Sequence, residues 1–106
     1  MTPDVALQIP APGTPCDLRL VERPLAEPGP HDIRIRVRAA GVGATDLMVL
    51  AGRYGFAPQP PVVPGYEVAG VVEAIGSAVT AWRVGQRVAA LTVHGGFAST
   101  LVRAGS

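Results

Sequence analysis

The chain of 106 residues is poor in cysteine, aromatic residues and charge, and it has no long apolar run. Each shortage excludes something. Cys16 is alone, so neither an intrachain disulfide nor a thiolate cluster can form. It sits in a Pro/Gly-rich stretch without a basic neighbour to favour a thiolate, and it reads as a bystander. Charged residues make up 16% of the chain and the formal net charge is +1, which leaves no electrostatic reason to expect nucleic acid or an anionic membrane as partner. No apolar stretch reaches transmembrane length. The opening MTPDVALQIPAPG has neither the basic start nor the apolar core of a secretory signal, so a cytoplasmic protein is the expectation. The two histidines, His31 and His94, stand alone near turns and read as solvated or structural groups.

What remains is enough for a fold. Hydrophobic residues reach 48%, which supports one folded domain over residues 1–106. Eleven prolines and thirteen glycines cut the chain into short pieces, as in a mostly β domain. The clearest strand is DIRIRVRA, where Ile33, Ile35 and Val37 alternate with Arg34, Arg36 and Arg38. The arginines read as its solvent face. Weaker strands are expected around Val5–Ile9 and from Leu18 and Leu20, with Glu27–Asp32 as a turn. Val68–Ile75 reads as a buried strand in which Gly70 permits a close approach. Arg87–Val93 and Ser99–Arg103 supply two more. One short helix is expected from Asp46 to Ala51, with Thr45 as its N-cap and Gly52 ending it. Pro58, Pro60, Pro61 and Pro64 then hold an extended loop.

AAGVGATD imitates a dinucleotide-binding loop. Gly41 and Gly43 match the first two positions of G-x-G-x-x-G, a strand precedes them, and the acidic Glu67 lies roughly where a ribose ligand would. Asp46, however, stands at the third glycine position and brings a carboxylate where a pyrophosphate would sit. The helix is also too short for a βαβ crossover. The alternative is that the glycines allow a tight turn against a substrate or a neighbouring strand.

GYEVAGVVEAIGSAV, Gly65 to Val79, carries the sharpest signal. The spacing of Gly65, Glu67, Gly70, Gly76 and Val79 resembles the signature of zinc-containing medium-chain alcohol dehydrogenases, in which a histidine stands where this chain has Tyr66. A phenol is a poor substitute, since zinc sites favour Cys, His and carboxylate. AAGVGATD, AGRYG with its prolines, PGYEVAGVVEAIG, and WRVGQRVAAL running into GGFA follow one another at family spacing. From about Asp32 to Arg103 the chain resembles the GroES-like catalytic domain of medium-chain dehydrogenase/reductases, nearest the zinc-free quinone oxidoreductases and enoyl reductases. The fold this implies is mostly β, a partly open GroES-like β-barrel with one short helix.

The resemblance also implies site residues. The first catalytic cysteine of the zinc enzymes falls where Gly43 stands and the first histidine where Tyr66 stands, so no zinc is expected. Asp46 and Glu67 match acidic positions that surround the metal in those relatives; here they are expected to hydrogen-bond and fix loops. Thr45 occupies the place of a proton-relaying hydroxyl, beside its other reading as the helix N-cap. Tyr54 matches an aromatic position lining the substrate pocket, able to stack on a flat quinone and donate a hydrogen bond as charge develops. The zinc-free relatives often carry an asparagine at the place of Gly43, a contact glycine cannot make. The implied activity is hydride transfer from NADPH to a quinone or activated alkene. The catalytic residues would be Tyr54 and Thr45, with Gly43 and Tyr66 in the substrate pocket.

The Rossmann domain that would bind NADPH in such enzymes follows this lobe and is not part of these 106 residues. The lobe is therefore expected to be inactive alone and to act on a small-molecule substrate only with a Rossmann domain in cis or in trans. The rival reading is a non-catalytic GroES-like interaction or remnant module, with a homodimer formed through an exposed strand edge. A co-chaperonin is a third reading; it fits less well, because the longest loop is stiffened by proline.

Overall fold

The computed structural model describes residues 4–10, 18–53, 55 and 61–105. Six strands and one helix follow in the order β1 (Asp4–Gln8), β2 (Arg19–Arg23), β3 (Asp32–Ala40), α1 (Ala44–Leu50), β4 (Glu67–Ile75), β5 (Arg87–Leu91) and β6 (Thr100–Ala104). The mostly β expectation holds. All pairings are antiparallel. β1 and β2 form a two-stranded sheet, and the other four form an open sheet in the order β5-β4-β3-β6. The two sheets are stitched together by backbone bonds from Leu7 N to Phe97 O (2.8 Å) and from Ser99 N to Val5 O (2.8 Å), and by a bridge between Ile9 and Val62.

The period-2 pattern of β3 has the expected consequence on one face. Ile33 and Ile35 bury against Val68, Val72 and Leu101, and Trp82 and Val79 pack over the cluster from the loop after β4. Val72 is wholly buried, and burying such a side chain stabilises the fold by about 1.5–3 kcal/mol. The arginine face departs from the expectation. Arg34 and Arg36 both donate to Glu73 of β4, at 2.6 and 2.9 Å, and the Arg34 side chain is only 12% exposed. Of the three arginines, Arg38 alone is exposed. The reason is a bulge. Arg34 pairs with Ala74 and Ile35 with Val72, so Glu73 is left unpaired between them and reaches both guanidinium groups.

Gly70 works as expected: a Cβ there would collide with the carbonyl of Arg36 on the neighbouring strand. A second, smaller core joins Ile9, Val49 and Val62, with Leu18 and Leu50 packed beside it. It fixes α1 to the residue that follows β1 and to the segment entering β4. Strand bounds shift by one or two residues, with β5 ending at Leu91 and β6 beginning at Thr100. Among the described residues no helix is long and apolar enough to cross a membrane.

Candidate active site

The site is organised around one carboxylate. Asp46 is the third residue of α1, is 1% exposed, and accepts three backbone hydrogen bonds. Its Oδ2 takes the N–H of Gly43 at 2.9 Å, and its Oδ1 takes those of Gly65 at 3.1 Å and Tyr66 at 3.0 Å. The first bond closes the N-terminus of the helix, and the other two tie the helix to the segment entering β4, 19 and 20 residues away.

This corrects the helix start. The N-cap is Gly43, in extended conformation (φ −132°, ψ −178°), and the helix runs from Ala44 to Leu50. Thr45 lies inside the first turn, so it is not the cap. Asp46 reaches back to the Gly43 N–H, as the third residue of a capping box does. Gly52 follows the helix at φ +71°, the expected C-terminal stop.

Gly65 and Tyr66 are gripped from the far side as well. The Gly65 carbonyl accepts the Thr92 hydroxyl at 2.6 Å, and the Tyr66 carbonyl accepts the Thr92 N–H at 2.6 Å and the Val93 N–H at 3.1 Å. Gly65 has φ +119°, and a Cβ there would strike the Phe97 N–H, so no side chain fits. Val93 holds φ +67°, a left-handed conformation costly for a β-branched residue. The backbone of Tyr66 is thus set by Asp46 on one side and by the Thr92–Val93 turn on the other. Thr92, 6% exposed, has no counterpart in the sequence reading, since an isolated threonine at a strand end carries no local signal.

Gly43, Thr45, Asp46, Tyr66 and Glu67 line one cleft together with Gly41 and Ala44, with a volume of about 160 Å³. Five of the six residues singled out from the sequence are therefore neighbours, although 20 residues of chain separate Asp46 from Tyr66. The sixth, Tyr54, lies outside the described residues. Thr45 is half-buried, and its hydroxyl makes no hydrogen bond among the described residues. Tyr66 is half-buried, and Glu67 is exposed at the start of β4. A broader groove of about 530 Å³ shares Gly41 and Glu67 with this cleft and runs over Ala39, Ala69, Ala89 and Leu91. Its alanine lining is flat and apolar.

The glycine turn is closed by a carboxylate. α1 has seven residues, and the N–H of its N-cap Gly43 donates to the Asp46 carboxylate, a negative charge where a phosphate would have to sit. Among the described residues, no group of three or more His, Cys, Asp or Glu could hold a metal ion.

Residues 29–104 match the alcohol dehydrogenase GroES-like domain. The chain belongs to that family. The GroES-like domain is 38% identical over 84 residues to the human synaptic vesicle membrane protein VAT-1 homolog-like, covering 79% of this chain and 20% of that protein. It is 42% identical over 72 residues to the quinone oxidoreductase of Lama guanicoe, covering 67% of this chain and 22% of that enzyme. Among solved structures it resembles the Escherichia coli quinone oxidoreductase complexed with NADPH. That match has a TM-score of 0.84 and 29% identity, and covers 92% of this chain and 30% of that one. The GroES-like domain thus spans about a fifth of the length of the curated relatives it matches. Its relatives include oxidoreductases of the medium-chain dehydrogenase/reductase superfamily, as the resemblance implied.

Proposed function

We propose that this chain is the substrate-binding lobe of an NADPH-dependent oxidoreductase that reduces quinones or activated alkenes by hydride transfer without zinc. The observation that carries this reading is the cleft itself. It gathers Gly43, Thr45, Tyr66 and Glu67 around the Asp46 clamp, and at about 160 Å³ it is smaller than the ~300–1,000 Å³ of a whole ligand site, as one wall of a shared site would be. The donor set does not fit zinc. Both Asp46 oxygens are held by backbone N–H groups, and Gly43 and Tyr66 stand where a cysteine and a histidine would be needed.

NADPH supplies the hydride when bound, and its phosphates belong on a Rossmann partner in cis or in trans, because the turn at Gly43 repels them. This lobe positions the acceptor. The alanine groove offers a flat apolar wall against which a conjugated ring can lie, and Tyr66, anchored by its backbone on both sides, lines the smaller cleft that adjoins it through Gly41 and Glu67. The Thr45 hydroxyl, not used as a cap, is available to donate a proton or hydrogen bond to the acceptor oxygen as negative charge develops there. Tyr54 supplies the second such donor in this reading. Asp46 and Glu67 keep the loops in place; Asp46 is a positioning residue.

The alternative is a non-catalytic GroES-like module that forms a homodimer through the outer edge of β5, where Leu91 is 71% exposed. Two measurements test the readings, and the second separates them. NADPH fluorescence titration into the chain alone is expected to show no saturable binding. Quinone reduction by the lobe joined to its Rossmann domain is expected, with kcat falling about 100-fold in Thr45→Ala and Tyr54→Phe. Unchanged kcat in both variants would remove these hydroxyls from the mechanism, and absence of any reductase activity in the joined protein would favour the module.

A further inference from the structure

Four arginines among the described residues are partly buried: Arg23, Arg34, Arg36 and Arg103. Three of them face a carboxylate. Arg23 pairs with Asp4, and Arg34 and Arg36 pair with Glu73. Arg103, on β6, has no carboxylate partner among the described residues. Its Nη1 donates to the Val102 carbonyl at 2.9 Å and its Nη2 to the His94 carbonyl at 2.6 Å. These neutral acceptors orient the guanidinium without neutralising it. Gly95 (φ +97°) brings its backbone against the group, where a Cβ would stand 2.7 Å from Nη2. A partly desolvated charge with no counter-charge among the described residues is unfavourable, yet the fold holds this one in a defined pose.

Arg103 borders a cleft of about 400 Å³ that shares no lining residue with the Asp46 cleft. His94 and Arg23 also line it, and Val62 and Leu101 give it an apolar floor. Arg23 is neutralised by Asp4, with its Nε donating to that carboxylate and its Nη2 to the Thr100 carbonyl. The uncompensated charge of the cleft is therefore that of Arg103. Its volume falls within the range of small-molecule sites.

We propose that this cleft binds an oxyanion borne on a small organic body, a phosphate monoester or a carboxylate, through the guanidinium fork of Arg103. Two oxygens of a carboxylate or of a phosphate match the paired donors of arginine, and the apolar floor accommodates the rest of the ligand. His94 is a built-in reporter. Burial, and then the positive charge of Arg103, hold its imidazole below the usual histidine range, and an anion seated on Arg103 offsets the second effect and raises it. The charged groups bordering it in the cleft are Arg103 on β6, Arg23 on β2 and the Asp4 partner of Arg23 on β1. This inference stands independently of the hydride-transfer reading.

The test is an NMR titration of the His94 ring with inorganic phosphate and, separately, acetate, against sodium chloride at matched ionic strength. Saturable shifts and a raised His94 pKa are expected with phosphate, acetate or both, and the stronger response identifies the ligand class. Arg103→Met should weaken binding about tenfold or more. Ala26→Glu, a change at an exposed position lining the same cleft, should weaken it similarly by supplying a competing internal carboxylate while leaving the core untouched. No saturable response in the wild-type protein, an equal response to chloride, or undiminished binding in folded Ala26→Glu would each overturn the proposal.

Discussion

Asp46 shows how one side chain organises a site. Its carboxylate was readable in the sequence as an acidic position near a short helix, and its partners were not, because Gly65 and Tyr66 lie 19 and 20 residues away. Local reasoning placed Thr45 at the cap, as its hydroxyl chemistry favours. The cap moved to Gly43 because a carboxylate at the third helical position can bond back to it, and that carboxylate is itself held by the segment entering β4. Asp46→Ala leaves three backbone donors without their acceptor and is expected to destabilise the protein by about 3 kcal/mol. Asp46→Asn keeps one acceptor oxygen and should cost less. Urea unfolding midpoints of the wild type and the two variants measure these losses, and variant midpoints equal to the wild type would show that the clamp contributes nothing.

At the scale of elements, β3 and β4 are where the pattern and the outcome part. The alternation of Ile33, Ile35 and Val37 with arginines correctly identified a strand and its core face, since side-chain period is a local property of extended backbone. The partner of the arginines depends on register, and the bulge at Glu73 is invisible in either strand read alone. Glu73→Gln leaves Arg34, with 12% side-chain exposure, only the exposed Glu27 carboxylate at 3.6 Å as countercharge and is expected to cost about 1.5–3 kcal/mol. A double-mutant cycle with Arg36→Met should give a nonzero coupling energy. Additive losses would mean that the two groups act independently.

At the scale of the whole molecule, the ends of the described chain are joined by Asp4. This residue of β1 is 2% exposed. Its Oδ1 accepts the Ser99 hydroxyl at 2.6 Å, the Thr100 N–H at 3.0 Å and the Thr100 hydroxyl at 2.8 Å, while Arg23 of β2 pairs with Oδ2. Burial pushes its pKa up, but the hydrogen bonds from Ser99, Arg23 and Thr100 and the charge of Arg23 outweigh that and hold it below the ordinary value. A folded pKa below the unfolded one means that the group stabilises the fold above the unfolded value, about 3.9 for Asp. That stabilisation is lost as pH falls through the folded value. Asp4→Asn is therefore expected to lower stability at pH 7 and to flatten its decline below pH ~4. Thermal unfolding at both pH values checks this; an unchanged acid limb would assign acid sensitivity to other carboxylates. In the wild-type protein the same loss should loosen the tie between the two sheets.

The sequence alone determined the mostly β class, the core face of β3, the close approach at Gly70, the helix stop at Gly52 and the family, because these follow from local conformational preference and motif spacing. Tertiary structure alone decided that Asp46 grips Gly65 and Tyr66, that Glu73 bulges to bind two arginines, that Thr92 secures the loop and that Asp4 closes the sheets. Each of these is a hydrogen-bonding choice between residues distant in the chain. A polar side chain declares its donors and acceptors in the sequence, but its partner is set only when packing removes water and leaves one group within reach.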